Sequence, residues 1–362
     1  MRFAFGNERP MSQSPAPSPM QPHTSAGRLL TLACLFIGFA ALGTWAVYDQ
    51  FAGQSLSFDR RLLHWSTLLP IAGLLLVYFV ADGLRLHFTL RALGQYLPLK
   101  RLFSLVFINI FFSNITPMAT GGGFAQMWYL QRHGVSMGIA GAATTIRTLL
   151  AVIFIFTLTP IYLLTSDVLR QQAFIGAIGG WLAVLILMYL GFFAVVLLRT
   201  RWLIIPLSGL FNTARRLQLI SDTRHRHWQF ALRREMLRFA RSFKRYIGGK
   251  RSDVVLSIVF TMVFLLSLFS FPALLIASLG YHIDYLVSVG LLVVTTFIMY
   301  FSPTPGASGI SEGVFGSFFS PLLGVEHLVL VTITWRVLTI YLGMIAGLIL
   351  TQVELSRARE AK

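Results

Sequence analysis

The sequence predicts an all-α polytopic membrane protein, with six full spans and two re-entrant broken-helix hairpins arranged as an inverted repeat. Three observations carry that prediction. Of 362 residues, 56% are apolar and only 12% are charged, with a mean hydropathy of +0.71; a soluble domain has about twice that charged fraction. The cations are concentrated in one stretch, 199–252. A proline-glycine motif occurs twice, each time after an apolar run too short to cross a bilayer. One soluble core could not bury so much apolar surface, so a water-soluble enzyme is excluded.

The first 27 residues hold Pro10, Pro15, Pro17, Pro19 and Pro22 among serines and glutamines. Such a segment cannot pack and is expected to be a disordered cytoplasmic tail. The apolar run behind it is too long for a signal peptide. A crossing helix needs about 20 mostly apolar residues. Six runs qualify: 29–48, 68–89, 138–164, 173–198, 254–279 and 327–350. Two others, 102–113 and 285–301, fall short or are marginal, and each runs into a Pro/Gly/Ser/Thr cluster. The chain therefore divides into a first membrane half, 28–198, with a hairpin at 102–133, and a second, 253–351, with a hairpin at 285–323. Between them lies the basic segment 199–252, and 352–362 is a second tail. The lone Cys34 excludes an intrachain disulfide.

Lysine and arginine near span ends set orientation. In 199–251 fourteen cations stand against two acids, Asp222 and Glu235, so most of the net +17 lies here. That segment is expected inside, along with 85–101, Arg132 and both termini. The count closes only if both short runs return to their starting side. Arg224-His225-Arg226-His227-Trp228 mixes cations and an aromatic as nucleic-acid sites do. The loose helical spacing of Phe230, Leu232, Leu237, Phe239, Phe243 and Tyr246 instead favours an amphipathic helix on anionic inner-leaflet lipids, with no nucleic-acid partner.

The two clusters read Asn114-Ile115-Thr116-Pro117-Met118-Ala119-Thr120-Gly121-Gly122-Gly123 and Ser302-Pro303-Thr304-Pro305-Gly306-Ala307-Ser308-Gly309-Ile310-Ser311-Glu312. Both contain Thr-Pro-x-Ala-(Thr/Ser)-Gly, at an offset of 188. Downstream, Thr145-Ile146-Arg147 matches Thr334-Trp335-Arg336 at an offset of 189. The first cluster is entered from inside and the second from outside, so the repeat is inverted, as in many transporters. Proline and glycine free backbone groups at a depth without water, which survive only inside protein or at a wet cavity. Pro117, Gly123, Pro303, Pro305 and Gly306 are the expected hinge or hairpin positions.

Arg147 lies nine residues into its span and Arg336 nine into another, roughly 14 Å deep from opposite faces. An arginine there costs about 2.5 kcal/mol or more unless paired or hydrated. Two in symmetric positions, each behind a glycine-rich hairpin, read as walls of one polar cavity that binds phosphate in bidentate fashion. Purely structural bracing of the hairpins is the competing account. Hairpin donors at Thr116, Gly121, Gly122, Thr304, Ser308 and Gly309 would add contacts. Glu312 could pair with an arginine, receive an amino headgroup or be protonated in a coupling cycle. Asn114 and Gln126 could bind substrate or plug hairpin backbone. Asp82-x-x-Arg85 reads as a structural i,i+3 pair near the inner end of its span.

No phosphate-binding loop, dinucleotide fingerprint or nucleophile elbow occurs, and the eight histidines show no metal-ligand spacing. No cofactor is expected, and the balance favours a transporter over an enzyme. An ATP-driven pump would need a separate subunit.

At residues 114–126 with Arg147, and 302–313 with Arg336, the chain resembles the flippase-like family, also called the lysylphosphatidylglycerol synthase transmembrane region. The resemblance covers about residues 28–350. Many members carry an acidic residue and an arginine after the first glycines; Gly123-Phe124-Ala125-Gln126 is similar instead to the subgroup with glutamine. In multiple peptide resistance proteins such a domain moves aminoacylated phosphatidylglycerol to the outer leaflet, and a separate C-terminal domain does the aminoacyl transfer. The resemblance implies an inner-membrane lipid translocase without that transferase domain, acting on a phospholipid. Polyprenyl-phosphate chemistry in other members keeps an alternative: an integral-membrane transferase or transporter of polyprenyl-phosphate-linked glycans, with Glu312 as general base. Assembly into a homo-oligomer and a scaffold role for the basic loop stay open.

Overall fold

In the computed structural model the described residues are 59–166 and 241–360, with isolated helical positions at Cys34, Gly38, Ala41, Val184, Ile186, Leu187, Met188 and Gly191. The tail 1–27, nearly all of the expected spans 29–48 and 173–198, and 199–240 of the basic segment lie outside them. Among the described residues the fold is all-helical. Four helices are long and apolar enough to cross a membrane: Trp65–Ala92, Met137–Thr165, Arg251–Ser278 and Val325–Arg357. They contain or nearly coincide with the expected spans 68–89, 138–164, 254–279 and 327–350.

A 3-10 turn, Arg60–Leu63, capped by Asp59 Oδ1 on the Arg61 amide at 2.8 Å, leads into α1 (Trp65–Ala92). Its main partner is α5 (Arg251–Ser278), and the two run antiparallel. At one end Arg61 Nη1 donates to Leu279 O at 2.9 Å; at the other Arg91 Nε lies 3.4 Å from Asp253 Oδ1. Between these ends Phe88 stacks on Phe260 and Tyr78 on Phe264, ring centroids 5.5 and 5.0 Å apart. Aromatic pairs of this geometry add to area burial. A helical stretch at 241–247 docks on the Arg91 end, where Tyr246 Oη meets Ser257 Oγ at 2.6 Å. We call this the basic end.

Helices α2 (Leu99–Ile115) and α3 (Thr120–Arg132) form a hairpin, and α4 (Met137–Thr165) follows. At 1.5 Å per residue α2 reaches about 26 Å and α3 about 20 Å, both under the ~30 Å of hydrocarbon. The pattern recurs with α6 (Tyr285–Met299) and α7 (Ile310–Phe319), about 23 and 15 Å long. Asp284 starts α6 by accepting from the Leu286 and Val287 amides at 2.8 and 3.1 Å. Then come α8 (Val325–Arg336), a π-helical turn (Val337–Tyr341) and α9 (Leu342–Glu360). Where α9 crosses α2, a Cβ on Gly347 would lie 2.1 Å from Phe107 O. Only glycine permits that approach.

The two hairpin turns share an unusual backbone. Met118 and Ala119 have φ of 53°, and Gly306 and Ala307, 188 residues later, have φ of 57° and 54°. Left-handed alanine and methionine are strained and persist only where their surroundings hold them. The tips also meet: Pro117 and Pro305 form an isolated antiparallel bridge. Packing follows that line only in part. One core joins the basic end of α1, α2, α3, the start of α4 and Tyr246; another joins α6, α7, α8 and the halves of α1, α4 and α5 away from the basic end; a third ties α2 to Met344 of α9.

Candidate functional site

Two buried arginine centres sit behind the two hairpins. In the first, Arg147 on α4 reaches across to α1, where Nη2 contacts Asp82 Oδ1 and Oδ2 at 2.6 and 2.7 Å. Its Nη1 donates to Gln126 Oε1 on α3 at 2.7 Å. Arg85 Nε donates to the same Asp82 Oδ1 at 2.5 Å, and its guanidinium lies over the Phe264 ring, 3.8 Å from the centroid. Asp82, Arg85, Arg147 and Gln126 are 2%, 6%, 7% and 1% exposed.

The second centre is built within its own repeat. Arg336, the last residue of α8, holds Nε 2.8 Å from Glu312 Oε1, an ion pair not aligned for a hydrogen bond. Its Nη2 donates to Gly306 O at 2.9 Å and more weakly to Ser308 Oγ at 3.4 Å. Glu312 Oε2 accepts from the Gly309 amide at 2.7 Å and Ser311 Oγ at 2.8 Å. A single carboxylate thus caps α7 and anchors the arginine; both residues are 1% exposed. Charge buried this deeply persists only with a partner.

The smaller groups singled out from sequence are engaged locally. Asn114 Nδ2 donates to Ile110 O at 2.8 Å. Thr116 Oγ1 donates to Phe112 O and accepts from the Gly121 amide, both at 2.8 Å. Thr304 Oγ1 donates to Ser308 O at 2.9 Å. Gly121 and Gly122 press against α2: a Cβ on Gly122 would sit 1.8 Å from Ser113 Oγ, and one on Gly121 2.5 Å from the Thr116 methyl. Gly123 faces Thr144 at an ordinary 3.6 Å. Pro117 and Thr120 are exposed at the first tip, whereas Ala307 and Ser308 are buried at the second. Pro303 is exposed and Pro305 and Gly306 half-buried.

Arg147 and Arg336 each take a carboxylate of their own. Sequence reasoning paired Asp82 with Arg85, and that i,i+3 contact is present. It missed that Asp82 is also the counter-ion of Arg147, 65 positions away. A signal existed: a carboxylate and a guanidinium inside an apolar span each demand a partner at depth. Which other helix supplies one depends on packing, which no local pattern encodes.

The family model described as "Lysylphosphatidylglycerol synthase TM region" matches residues 30–347. A membrane protein of Archaeoglobus fulgidus named "UPF0104 membrane protein" is 22% identical over 296 residues, spanning 82% of this chain and 89% of that protein.

Proposed function

This chain belongs to the lysylphosphatidylglycerol synthase transmembrane region family, and from that premise we propose that it is an inner-membrane lipid translocase. It moves a phosphate-bearing lipid, such as an aminoacylated phosphatidylglycerol, between leaflets. In this reading α2–α3 and α6–α7 are re-entrant hairpins of an inverted repeat, entered from opposite faces. Six helices span the bilayer, both termini lie inside, and the basic segment 199–252 rests on anionic inner-leaflet lipids.

One observation carries the reading. Pro117 and Pro305, equivalent under the 188-residue repeat, touch in an antiparallel bridge. Residues related by a two-fold axis meet their own equivalents only on that axis. The pairing therefore supports a pseudo-two-fold in the membrane plane, with strained turns at its crossing point and one arginine centre on either side. Hairpins that return from the centre provide polar backbone at depth, and guanidinium groups offset the desolvation of a crossing phosphate. Acyl chains stay in lipid.

The test is redistribution of a tail-labelled phosphatidylglycerol in vesicles, read by a membrane-impermeant quencher. Wild-type vesicles are expected to expose label from both leaflets, and empty vesicles only from the outer one. Identical quenching in both defeats the translocase. Covalent product formed from lipid and an activated donor would instead favour the transferase alternative, although both Glu312 oxygens are held against donors or Arg336.

A further inference from the structure

The two arginine centres differ in charge. The second holds one guanidinium and one carboxylate, Arg336 and Glu312. The first holds two guanidiniums, and among the described residues Asp82 is the one carboxylate paired with either. Both cations converge on a single oxygen, Oδ1, at 2.5 and 2.6 Å. One positive charge is thus in surplus at a site where no member is more than 7% exposed.

The hydrogen-bond inventory leans the same way. Arg147 can only donate, so Gln126 must turn Oε1 toward it, which leaves Nε2 as a free donor. Gln126 Nε2, Arg147 Nε and Arg85 Nη1 are all buried without partners. Three donors from three helices lack acceptors in one cluster. Arg336 Nε, Arg336 Nη1 and Trp335 Nε1 are also unpartnered, but that centre holds an unmatched acceptor beside them, Glu312 Oε1, and has no surplus charge. Buried polar groups are overwhelmingly satisfied, and a cluster short only of acceptors calls for an anion.

We infer that Arg85, Arg147 and Gln126 form an anion site for one singly charged phosphate group, a lipid phosphodiester or free phosphate, with Arg85 as a direct ligand. Asp82 holds the two guanidiniums together and tunes the surplus to one. The centre lies about 15 Å inside the basic end, ten residues before Ala92 on α1 and ten after Met137 on α4. Arg91, Arg245 and Lys250 crowd that end and raise the local anion concentration. This inference rests on the translocase reading only for the lipid source of the phosphate; it assigns loading to the first repeat.

The experiment measures binding of inorganic phosphate and of short-chain phosphatidylglycerol to the full chain in detergent, by calorimetry and by rise in melting midpoint. Wild type is expected to bind the lipid, with phosphate competing. Arg85→Met makes the centre neutral and is expected to weaken both ligands by about tenfold or more. Asp82→Asn raises the surplus and tightens both. The double variant, Asp82→Asn with Arg85→Met, regains one surplus charge and recovers phosphate binding, which a merely structural Arg85 would not do. If Arg85→Met does not fold, the direction of the Asp82→Asn change decides alone: unchanged or weaker binding overturns the site. No binding of either probe to folded wild type overturns it as well. Phosphate binding that phosphatidylglycerol cannot displace keeps the site and removes it from lipid transport.

Discussion

The first and second repeats solve one problem in different ways. Each places a buried arginine on the helix behind a hairpin, and each must give it a counter-ion. The second repeat uses its own hairpin: Glu312, five residues after the left-handed Ala307, caps α7 and meets Arg336. In the first repeat the position equivalent to Glu312 under the 188-residue offset is Phe124, which is exposed. Arg147 therefore takes its carboxylate from α1, and Asp82 brings Arg85 with it. The second arginine centre is neutral, and the first carries one positive charge in surplus.

That contrast breaks most sharply on removal of a counter-ion. Glu312→Ala strips Arg336 of its carboxylate and α7 of its cap, with an expected cost of about 3–5 kcal/mol. Arg147→Ala leaves Asp82 still paired with Arg85, so it is expected to cost clearly less while abolishing lipid redistribution. Chemical denaturation of both variants in detergent, beside the vesicle assay, checks the order. Equal destabilisation would mean that the two centres are not built differently.

A middle-sized effect tests the frame around the first hairpin. Gly347→Ala forces a Cβ against Phe107 O, and the backbones of α2 and α9 must part. Overpacking of this kind costs about 1–3 kcal/mol, visible as a lower melting midpoint. The smallest effect is expected at Gly123, whose added Cβ would meet Thr144 at 3.6 Å. Gly123→Ala should leave stability within about 0.5 kcal/mol. If it nevertheless halves transport, Gly123 is a hinge; unchanged transport makes it filler between packed neighbours.

Much of this frame was legible in the sequence, because hydropathy and proline-glycine punctuation are local signals. Runs 102–113 and 285–301 were marked as too short or marginal for spans, and they correspond to α2 and α6. The offset that aligned Pro117 with Pro305 also aligned the residues that touch. The Arg147–Asp82 contact was not legible, since it requires knowing that α1 and α4 are neighbours. The sequence left Glu312 three roles; only the position of Arg336 against it singles out the ion pair. Gly121 and Gly122 were read as donors to a ligand, and their close approach to α2 gives them a packing role that spacing could not reveal.

The most direct measurement crosslinks the two tips. Cysteines at Pro117 and Pro305, in a background with Cys34→Ser, should form an intramolecular disulfide on mild oxidation, because opposed residues of an antiparallel bridge lie about 4.5–5.5 Å apart. The oxidised protein is expected to stop moving labelled phosphatidylglycerol and to resume on reduction. Failure to crosslink, or full transport with the tips tied together, would contradict the account.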